Sequence, residues 1–232
     1  MNTQNFFDHE HLRLEAYRLL ADGYYVPGQR FLDGLAKLEV CMGQVGGKAA
    51  EYVDKMKADI GPLDDPEYLK VDHARLFVGP FNLLAPPYGS VYLEGERLLM
   101  GASTADVQER YKASGLDMSV DFKDAPDHIA AELEFMHFLI FKEMEASSQS
   151  DVNGAVTCML NQQTFLEVHL GAWVSEFAAN VVGNAKTSFY RNLARATETF
   201  IKEDYHLLSS IRTVWASNPE KSAEIESIAG RC

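Results

Sequence analysis

The 232-residue chain is poor in cysteine and has no long run of apolar residues. Its three cysteines, Cys41, Cys158 and Cys232, are an odd number without CxxC spacing, so neither a disulfide framework nor a zinc-thiolate site is expected. The longest strongly apolar stretch, residues 135–141, is interrupted by His137. It is far shorter than the roughly 20 residues that a membrane helix requires.

Positive charge is also scarce, since 21 Lys and Arg face 34 Asp and Glu, and the formal net charge is −13. Nucleic acid and anionic lipid are disfavoured as main partners, because both require a basic surface. The first fifteen residues are polar and lack a basic start followed by an apolar run. We therefore predict no signal peptide, no stable membrane insertion and a cytoplasmic location.

Apolar residues make up 47% of the chain, and they recur at helical spacing along most of it. This pattern predicts an all-α fold, with residues 1–232 forming one helical bundle domain of about nine or ten helices. Helix starts are predicted at 64–66, 103–106 and 124–127, where a proline or a capping box precedes an apolar stripe. A strand-like pattern occurs at most at 90–93. The polar stretch at 147–151 predicts a possible hinge between N-terminal and C-terminal halves.

Residues 79–102 interrupt the helical pattern with three prolines and four glycines, between which lie Phe81, Tyr88 and Tyr92. Irregular segments of this length are usually functional or disordered, and the apolar content argues against disorder. The aromatic side chains could simply pack the loop against the bundle. They could also line an apolar groove, which, in an acidic protein, would suit a peptide with a basic end and a hydrophobic run.

Motifs for catalysis are missing from the sequence. GxGxxG, GxxxxGK[ST] and GxSxG are absent, and nothing indicates an activated Ser or Cys nucleophile, so these motifs assign no catalytic residue and no cofactor. Two ExxH pairs, Glu134 with His137 and Glu203 with His206, resemble the ligand spacing of di-iron carboxylate bundles. The simpler interpretation is solvated glutamates and packed or surface histidines without a metal. A di-iron enzyme is the alternative hypothesis.

Asp127 and His128 follow a proline at a predicted helix start. A carboxylate in the first turn favours the helix dipole and can accept free backbone N–H groups, which would be a structural role. The functional interpretation is a polar recognition pair beside an apolar surface. In that case His128 could take up a proton near neutral pH.

Three segments in order resemble the TorD/DmsD family of cytoplasmic redox-enzyme maturation chaperones, which are relatives of NarJ. Residues 72–94, DHARLFVGPFNLLAPPYGSVYLE, and residues 126–143, PDHIAAELEFMHFLIFKE, are similar to its two signatures. Residues 165–201 resemble its C-terminal helices, and residues 17–27 are a looser match. The resemblance covers most of the chain.

The resemblance implies a non-enzymatic helical chaperone that assists cofactor insertion before export. Its implied partners are the twin-arginine signal peptide and the apo-form of a molybdopterin oxidoreductase. The long loops and the polar linker at 147–151 permit domain swapping, so the expected state is a monomer or a domain-swapped dimer. The resemblance also implies a peptide-binding surface. Carried over to this sequence, that surface consists of His73, Leu76, Phe77, Phe81, Pro87, Tyr88, Tyr92, Asp127 and His128.

Overall fold

The structure is a computed structural model that describes residues 3–60, 67–79, 83–94, 99–119 and 122–216. These ranges contain ten α-helices and one π-helical turn, and no β-strand occurs among them. The elements are α1 (Thr3–Asp22), α2 (Gln29–Val45), α3 (Ala49–Ile60), α4 (Glu67–His73), the π-turn (Ala74–Val78), α5 (Ser90–Leu93), α6 (Ala102–Ala113), α7 (Ile129–Ser148), α8 (Val152–Val168), α9 (Leu170–Asn184) and α10 (Ser188–Ala216). The predicted all-α class is confirmed.

Helix α7 lies at the centre of the bundle, since ten of its 20 side chains are buried. It packs along α1 and α8, while α10 packs along α3, α8 and α9. One apolar cluster extends through the described residues from Leu14 in α1 to Leu208 in α10. A single continuous core is what helices with one apolar stripe each form when they pack around a common centre.

The polar stretch at 147–151 contains the end of α7 and the tight turn that leads into α8. The Asp151 N–H donates to the Ala146 carbonyl oxygen at 2.9 Å, and the Asp151 carboxylate accepts the Gly154 N–H at 2.9 Å. Asp151 therefore caps the first turn of α8. Movement of the two halves about this turn stays a prediction.

Two local predictions from the sequence are wrong. Residues 90–93 form the short helix α5 instead of a strand. The proposed capping box at 103–106 does not start α6, which begins one residue earlier, at Ala102. Its N-terminus is capped from outside by Glu94, whose carboxylate accepts the backbone N–H and the hydroxyl of Ser103 at 2.8 and 2.6 Å.

The helix predicted to start at 64–66 changes its geometry before it ends. Its predicted start lies outside the described residues, and α4 passes into the π-turn after His73. The Gly79 N–H donates to the Ala74 carbonyl oxygen at 2.7 Å, a bond that spans five residues. Such wide turns recur at functional sites in helical proteins. Here the turn directs Leu76 and Phe77 into the core.

A buried ionic cluster joins α1 to α8 and α10. Arg13, only 1% exposed, donates to both carboxylate oxygens of Asp204 at 2.6 and 2.9 Å. It also donates to Glu10 and, at 2.9 Å, to Gln162, while the Tyr17 hydroxyl donates to Asp204 at 2.8 Å. A buried guanidinium group is tolerated only when its donors are paired, and these bonds supply the partners.

Glu143 of α7 lies beside this cluster and is 6% exposed. Burial raises the pKa of its carboxyl group from 4.5 to about 7, and the charge of Glu10 acts in the same direction. The charge of Arg13 and a hydrogen bond from Gln162 oppose this increase in pKa. The folded protein therefore holds this proton more tightly than the unfolded chain does. As the pH rises from about 4.5 to 7, ionisation of Glu143 lowers the stability of the fold.

We expect Glu143→Gln to raise the free energy of unfolding by about 1 to 3 kcal/mol at pH 8 and to change it little at pH 4. The amide fills the same space but does not ionise. Denaturant unfolding at both pH values measures the effect. The control is Glu145→Gln on the same helix, where the side chain is 40% exposed. A gain of equal size at both pH values would contradict this account of Glu143.

Candidate functional site

The two segments that resemble family signatures meet in the fold. Tyr88 and His128 form an isolated antiparallel bridge. The Gly89 N–H donates to the Asp127 carbonyl oxygen at 2.9 Å, and the Ile129 N–H donates to the Pro87 carbonyl oxygen at 2.8 Å. These bonds fix the loop before α5 against the start of α7.

The Asp127 side chain caps a helix other than its own. It is 1% exposed, and its carboxylate accepts the Ser90 N–H of α5 at 2.7 Å. The cap of α7 is His128, whose Nδ1 accepts the Ala130 N–H at 3.1 Å. The structural role expected for Asp127, in the first turn of its own helix, is therefore corrected: its carboxylate reaches across to the neighbouring segment.

His128 is a neutral side chain packed against Tyr88. Burial lowers the pKa of its imidazole to about 4, against the opposing charges of Asp124 and Asp127. Protonation near neutral pH, which the sequence suggested, is therefore wrong for the folded protein. The two rings lie 5.4 Å apart, and the hydroxyl of the half-buried Tyr88 donates to the Asp124 carboxylate at 2.7 Å. The Tyr88 side chain is thus fixed by the His128 ring and by the Asp124 carboxylate.

His73, Leu76 and Phe77 belong to the core behind this loop, since none is more than 5% exposed. The Phe77 ring lies 5.2 Å from the His73 ring and 6.0 Å from the Tyr24 ring. His73 Nε2 lies 3.0 Å from the Tyr24 carbonyl oxygen, and burial lowers the pKa of its imidazole. The Ala85 N–H donates to the Leu76 carbonyl oxygen at 3.1 Å, so this core supports the loop that carries Tyr88.

Asp72, at the start of the first matching segment, fixes α4 to the turn between α9 and α10. Its carboxylate accepts the backbone N–H groups of Lys186 and Thr187 at 3.0 and 2.8 Å. The Thr187 hydroxyl and Arg75 Nη2 donate to the same carboxylate at 2.9 and 2.8 Å. Residues distant in sequence thereby hold the π-turn in place.

A buried pair of side chains underlies the loop at Gly89. The Trp173 indole N–H donates to the Glu132 carboxyl group at 3.0 Å, and the half-buried Tyr92 stacks on Trp173 with ring centres 5.5 Å apart. A Cβ on Gly89 would lie 2.9 Å from Trp173 Nε1 and 3.1 Å from Glu132 Oε1, so the loop approaches closely only with glycine there. Burial raises the pKa of Glu132 well above its ordinary value.

Beside this loop lies a groove of about 730 Å³ between α1, α7 and the segment after α6. It is reached from Tyr88 through adjacent rings, because Phe122 lies 6.0 Å from His128 and 6.5 Å from Tyr25. Its apolar lining is Tyr25, Tyr111, Leu116, Met118, Phe122, Ala131, Phe135 and Phe138. A concave aromatic surface of this size is typical of a ligand-binding site.

The groove carries slightly more negative than positive charge. Asp22, Asp117 and Glu134 line it together with Arg18 and Arg30. Arg18 already pairs with Asp22 at 3.2 Å and with a glutamate of its own helix. Burial raises the pKa of Glu134, while a hydrogen bond of 2.9 Å from the Tyr25 hydroxyl opposes the shift. A cationic guest would stabilise the ionised carboxylates here.

The structure divides the predicted peptide-binding residues into two groups. Pro87, Tyr88, Asp127 and His128 come together where the two segments meet. His73, Leu76, Phe77 and Tyr92 pack in or against the core behind them. Phe81 lies outside the described residues.

Four residues around this site were not predicted from the sequence: Tyr25, Phe122, Glu132 and Trp173. Glu132 could have been found, because it falls within the apolar stripe of α7, where a carboxylate must be buried. Phe122 is an isolated aromatic residue in a polar stretch, which is a weaker signal. Nothing local in the sequence indicates that Trp173, 41 residues away, contacts Glu132.

The two ExxH pairs have other partners. Glu134 accepts the Tyr25 hydroxyl, and His137 Nδ1 lies 2.9 Å from the Leu14 carbonyl oxygen. Glu203 accepts the Lys48 backbone N–H at 3.0 Å. Across the described ranges, no group of three or more His, Cys, Asp or Glu side chains is arranged to hold a metal ion. The di-iron alternative is therefore not supported.

Within the residues that the structure describes, no helix has both the length and the apolar character of a membrane span.

Several known proteins that are similar to this chain are named as chaperones. A TorD chaperone protein from Aliivibrio fischeri is 27% identical over 179 residues, which cover 77% of this chain and 80% of that protein. A TorD chaperone protein from Psychrobacter is 30% identical over 144 residues, 62% of this chain and 63% of that protein. A perchlorate reductase assembly chaperone protein from Dechloromonas aromatica is 29% identical over 208 residues, 84% of this chain and 88% of that protein.

A protein-family model supports the same relationship. The model described as nitrate reductase delta subunit matches residues 44–179, which include the π-turn, the Tyr88 loop and all of α7. The match spans more than half of the chain. The protein therefore belongs to the nitrate reductase delta subunit family, the family of the TorD chaperones.

Proposed function

We propose that this protein is a redox-enzyme maturation chaperone that acts in the cytoplasm. In this proposal it binds the twin-arginine signal peptide of a molybdopterin oxidoreductase precursor and holds the apo-form for cofactor insertion before export. Its role is binding and release without covalent chemistry. The observation that carries the proposal is the meeting of the two matching segments: Tyr88 packs against His128, and the His128 ring lies 6.0 Å from Phe122, which lines the aromatic groove.

The chemistry of the groove suits such a leader peptide. A twin-arginine leader has two guanidinium groups followed by an apolar run. The guanidinium groups would pair with the carboxylates of Asp22, Asp124 and Glu134, and the apolar run would pack on Phe122 and Phe135. The net charge of −13 would speed the encounter with a basic peptide.

The expected affinity is moderate. Burial of about 300 Å² of apolar surface at about 25 cal/mol per Å² contributes several kcal/mol. Ordering of a flexible leader offsets part of this gain, so we expect a dissociation constant in the micromolar range. A chaperone that must release its client requires affinity of this order instead of irreversible capture.

We expect Tyr88→Ala and Phe122→Ala each to weaken binding of a synthetic twin-arginine leader by about 5- to 30-fold, the usual loss for a central aromatic contact. Calorimetry with leaders of several molybdenum oxidoreductase precursors measures the change. Tyr68→Ala on α4 is the matched control, because that tyrosine is 37% exposed and its hydroxyl donates to the Asp59 carbonyl oxygen, outside the contact between Tyr88 and His128. Leaders in which both arginines are replaced by glutamine should bind weakly to every variant.

Two results would overturn the proposal. In the first, no twin-arginine leader binds the folded protein. In the second, leaders bind, but Tyr88→Ala and Phe122→Ala retain the affinity of Tyr68→Ala. Circular dichroism and thermal unfolding of each variant show that any loss of binding occurs in folded protein.

A further inference from the structure

A second cavity, of about 430 Å³, lies at the other end of the α1–α7 pair, and α8 and α10 complete it. Its walls are mainly apolar and include Phe6, Val156, Met159, Leu207 and Ile211. We call it the α1–α10 pocket. Its volume and its largely hydrophobic lining with a few polar groups at one end are those of a binding site.

The polar end of the α1–α10 pocket is the buried ionic cluster. Glu10, Arg13 and Glu143 line the pocket, and Asp204 lies against Arg13. Three carboxyl groups thus share one guanidinium group, and His9, which also lines the pocket, lies 3.2 Å from Glu10. The carboxyl groups therefore outnumber the basic side chains of the cluster. The positive charge of Arg13 is already engaged by Asp204 and Glu10.

Glu143 is the carboxyl group of this cluster that feels the charge of Arg13 but forms no direct ion pair with it. It accepts a hydrogen bond from Gln162 Nε2 at 2.6 Å, and it forms no ion pair within the described part of the chain. A buried carboxylate beside an apolar wall favours a guest that brings a positive charge and apolar groups together.

The α1–α10 pocket opens on a different side of the bundle from the aromatic groove. On α7, the groove uses Ala131, Glu134, Phe135 and Phe138, whereas the pocket uses Glu143 and Ser147. At 3.6 residues per turn, these two sets lie roughly 150° apart around the helix axis. A single short peptide cannot occupy both surfaces.

We propose that the α1–α10 pocket binds a helical segment of the partner enzyme that carries one Arg or Lys on an apolar face. The cation lies against Glu143, and the apolar side chains of the segment contact Met159, Leu207 and Ile211. The segment belongs to the partner downstream of its leader, because the leader occupies the groove; this choice of source rests on the proposed function.

The probe is a synthetic 15-residue amphipathic helix with a leucine face and one arginine, compared with the same peptide carrying uncharged citrulline. For the wild-type protein, the citrulline peptide should bind about 10-fold more weakly, because it loses the charge pairing. For Glu143→Gln, the two peptides should differ by less than about 2-fold. If the substitution only disturbed the fold, it would weaken both peptides and leave the preference for arginine over citrulline in place.

A pair of variants at the pocket rim tests the sign of the charge. Val152 lines the pocket and is 56% exposed, so substitution there should not disturb the core. Val152→Lys should weaken the arginine peptide by about 3-fold, and Val152→Glu should bind it at least as tightly as wild type. Equal effects of Lys and Glu, or an unchanged arginine preference in Glu143→Gln, would overturn the proposal.

Competition identifies the source of the occupant. A twin-arginine leader bound in the groove should leave the affinity of the arginine peptide unchanged. Displacement would assign the pocket to the leader and overturn the second site. The proposed function would still stand if Tyr88→Ala weakens leader binding relative to Tyr68→Ala. Self-association that Val152→Lys abolishes, measured by sedimentation, would identify a second copy of the chain as the occupant and would also overturn the proposal.

Discussion

Replacing Asp204 with alanine should destabilise the protein by about 3 to 5 kcal/mol, the largest loss expected for any single substitution considered. The carboxylate accepts two hydrogen bonds from Arg13 and one from Tyr17, and all three side chains are buried. Its removal leaves a guanidinium group and a phenol hydroxyl in the core with fewer partners than they have donors. Glu10 and Gln162 still contact Arg13, which limits the loss.

Thermal and denaturant unfolding measure this effect. For a chain of this size, the midpoint should fall by about 10 °C. Glu198→Ala is the matched control, because it removes a carboxylate from the same helix that pairs with the exposed Lys202, a contact worth about 0.5 kcal/mol or less. A loss below about 1 kcal/mol for Asp204→Ala would mean that the cluster does not hold α1 against α10.

The helices could be predicted from the sequence because their signals are local. The end of α2 is an example: Gly46 adopts a φ of +96°, a left-handed conformation that glycine reaches without a side-chain clash. The start of α6 could not be predicted, because its cap comes from Glu94, nine residues away in another element. Sequence patterns indicate which residues cap a helix only when the cap lies within one turn.

The candidate site was predicted in part for the same reason. The loop of Tyr88 and the pair at 127–128 were identified as motifs. A motif does not indicate, however, which of its side chains will be buried and which will be exposed. Burial of Asp127 follows from contact with Ser90, and burial of Phe77 follows from the π-turn; both depend on tertiary packing. The groove at Phe122 is formed by segments that share no sequence pattern, so it required the fold.

The burial of Asp127 changes what its replacement should do. Alanine leaves the Ser90 N–H without its acceptor in a buried position, which costs about 1 to 3 kcal/mol. The start of α5 loosens, and with it the bridge that holds Tyr88 against His128. We therefore expect Asp127→Ala to lower stability and, through the position of Tyr88, to weaken binding of the twin-arginine leader by about 10-fold.

Asp127→Asn separates positioning from direct contact. The asparagine keeps an oxygen that can accept the Ser90 N–H but carries no charge, so it should restore most of the stability and most of the leader affinity. Hydrogen exchange at Ser90 follows the cap directly and should be fast only in the alanine variant. If Asn loses leader affinity as fully as Ala while it keeps the stability of wild type, the carboxylate must pair with the arginines of the leader, and Asp127 would be a contact residue instead of a positioning residue.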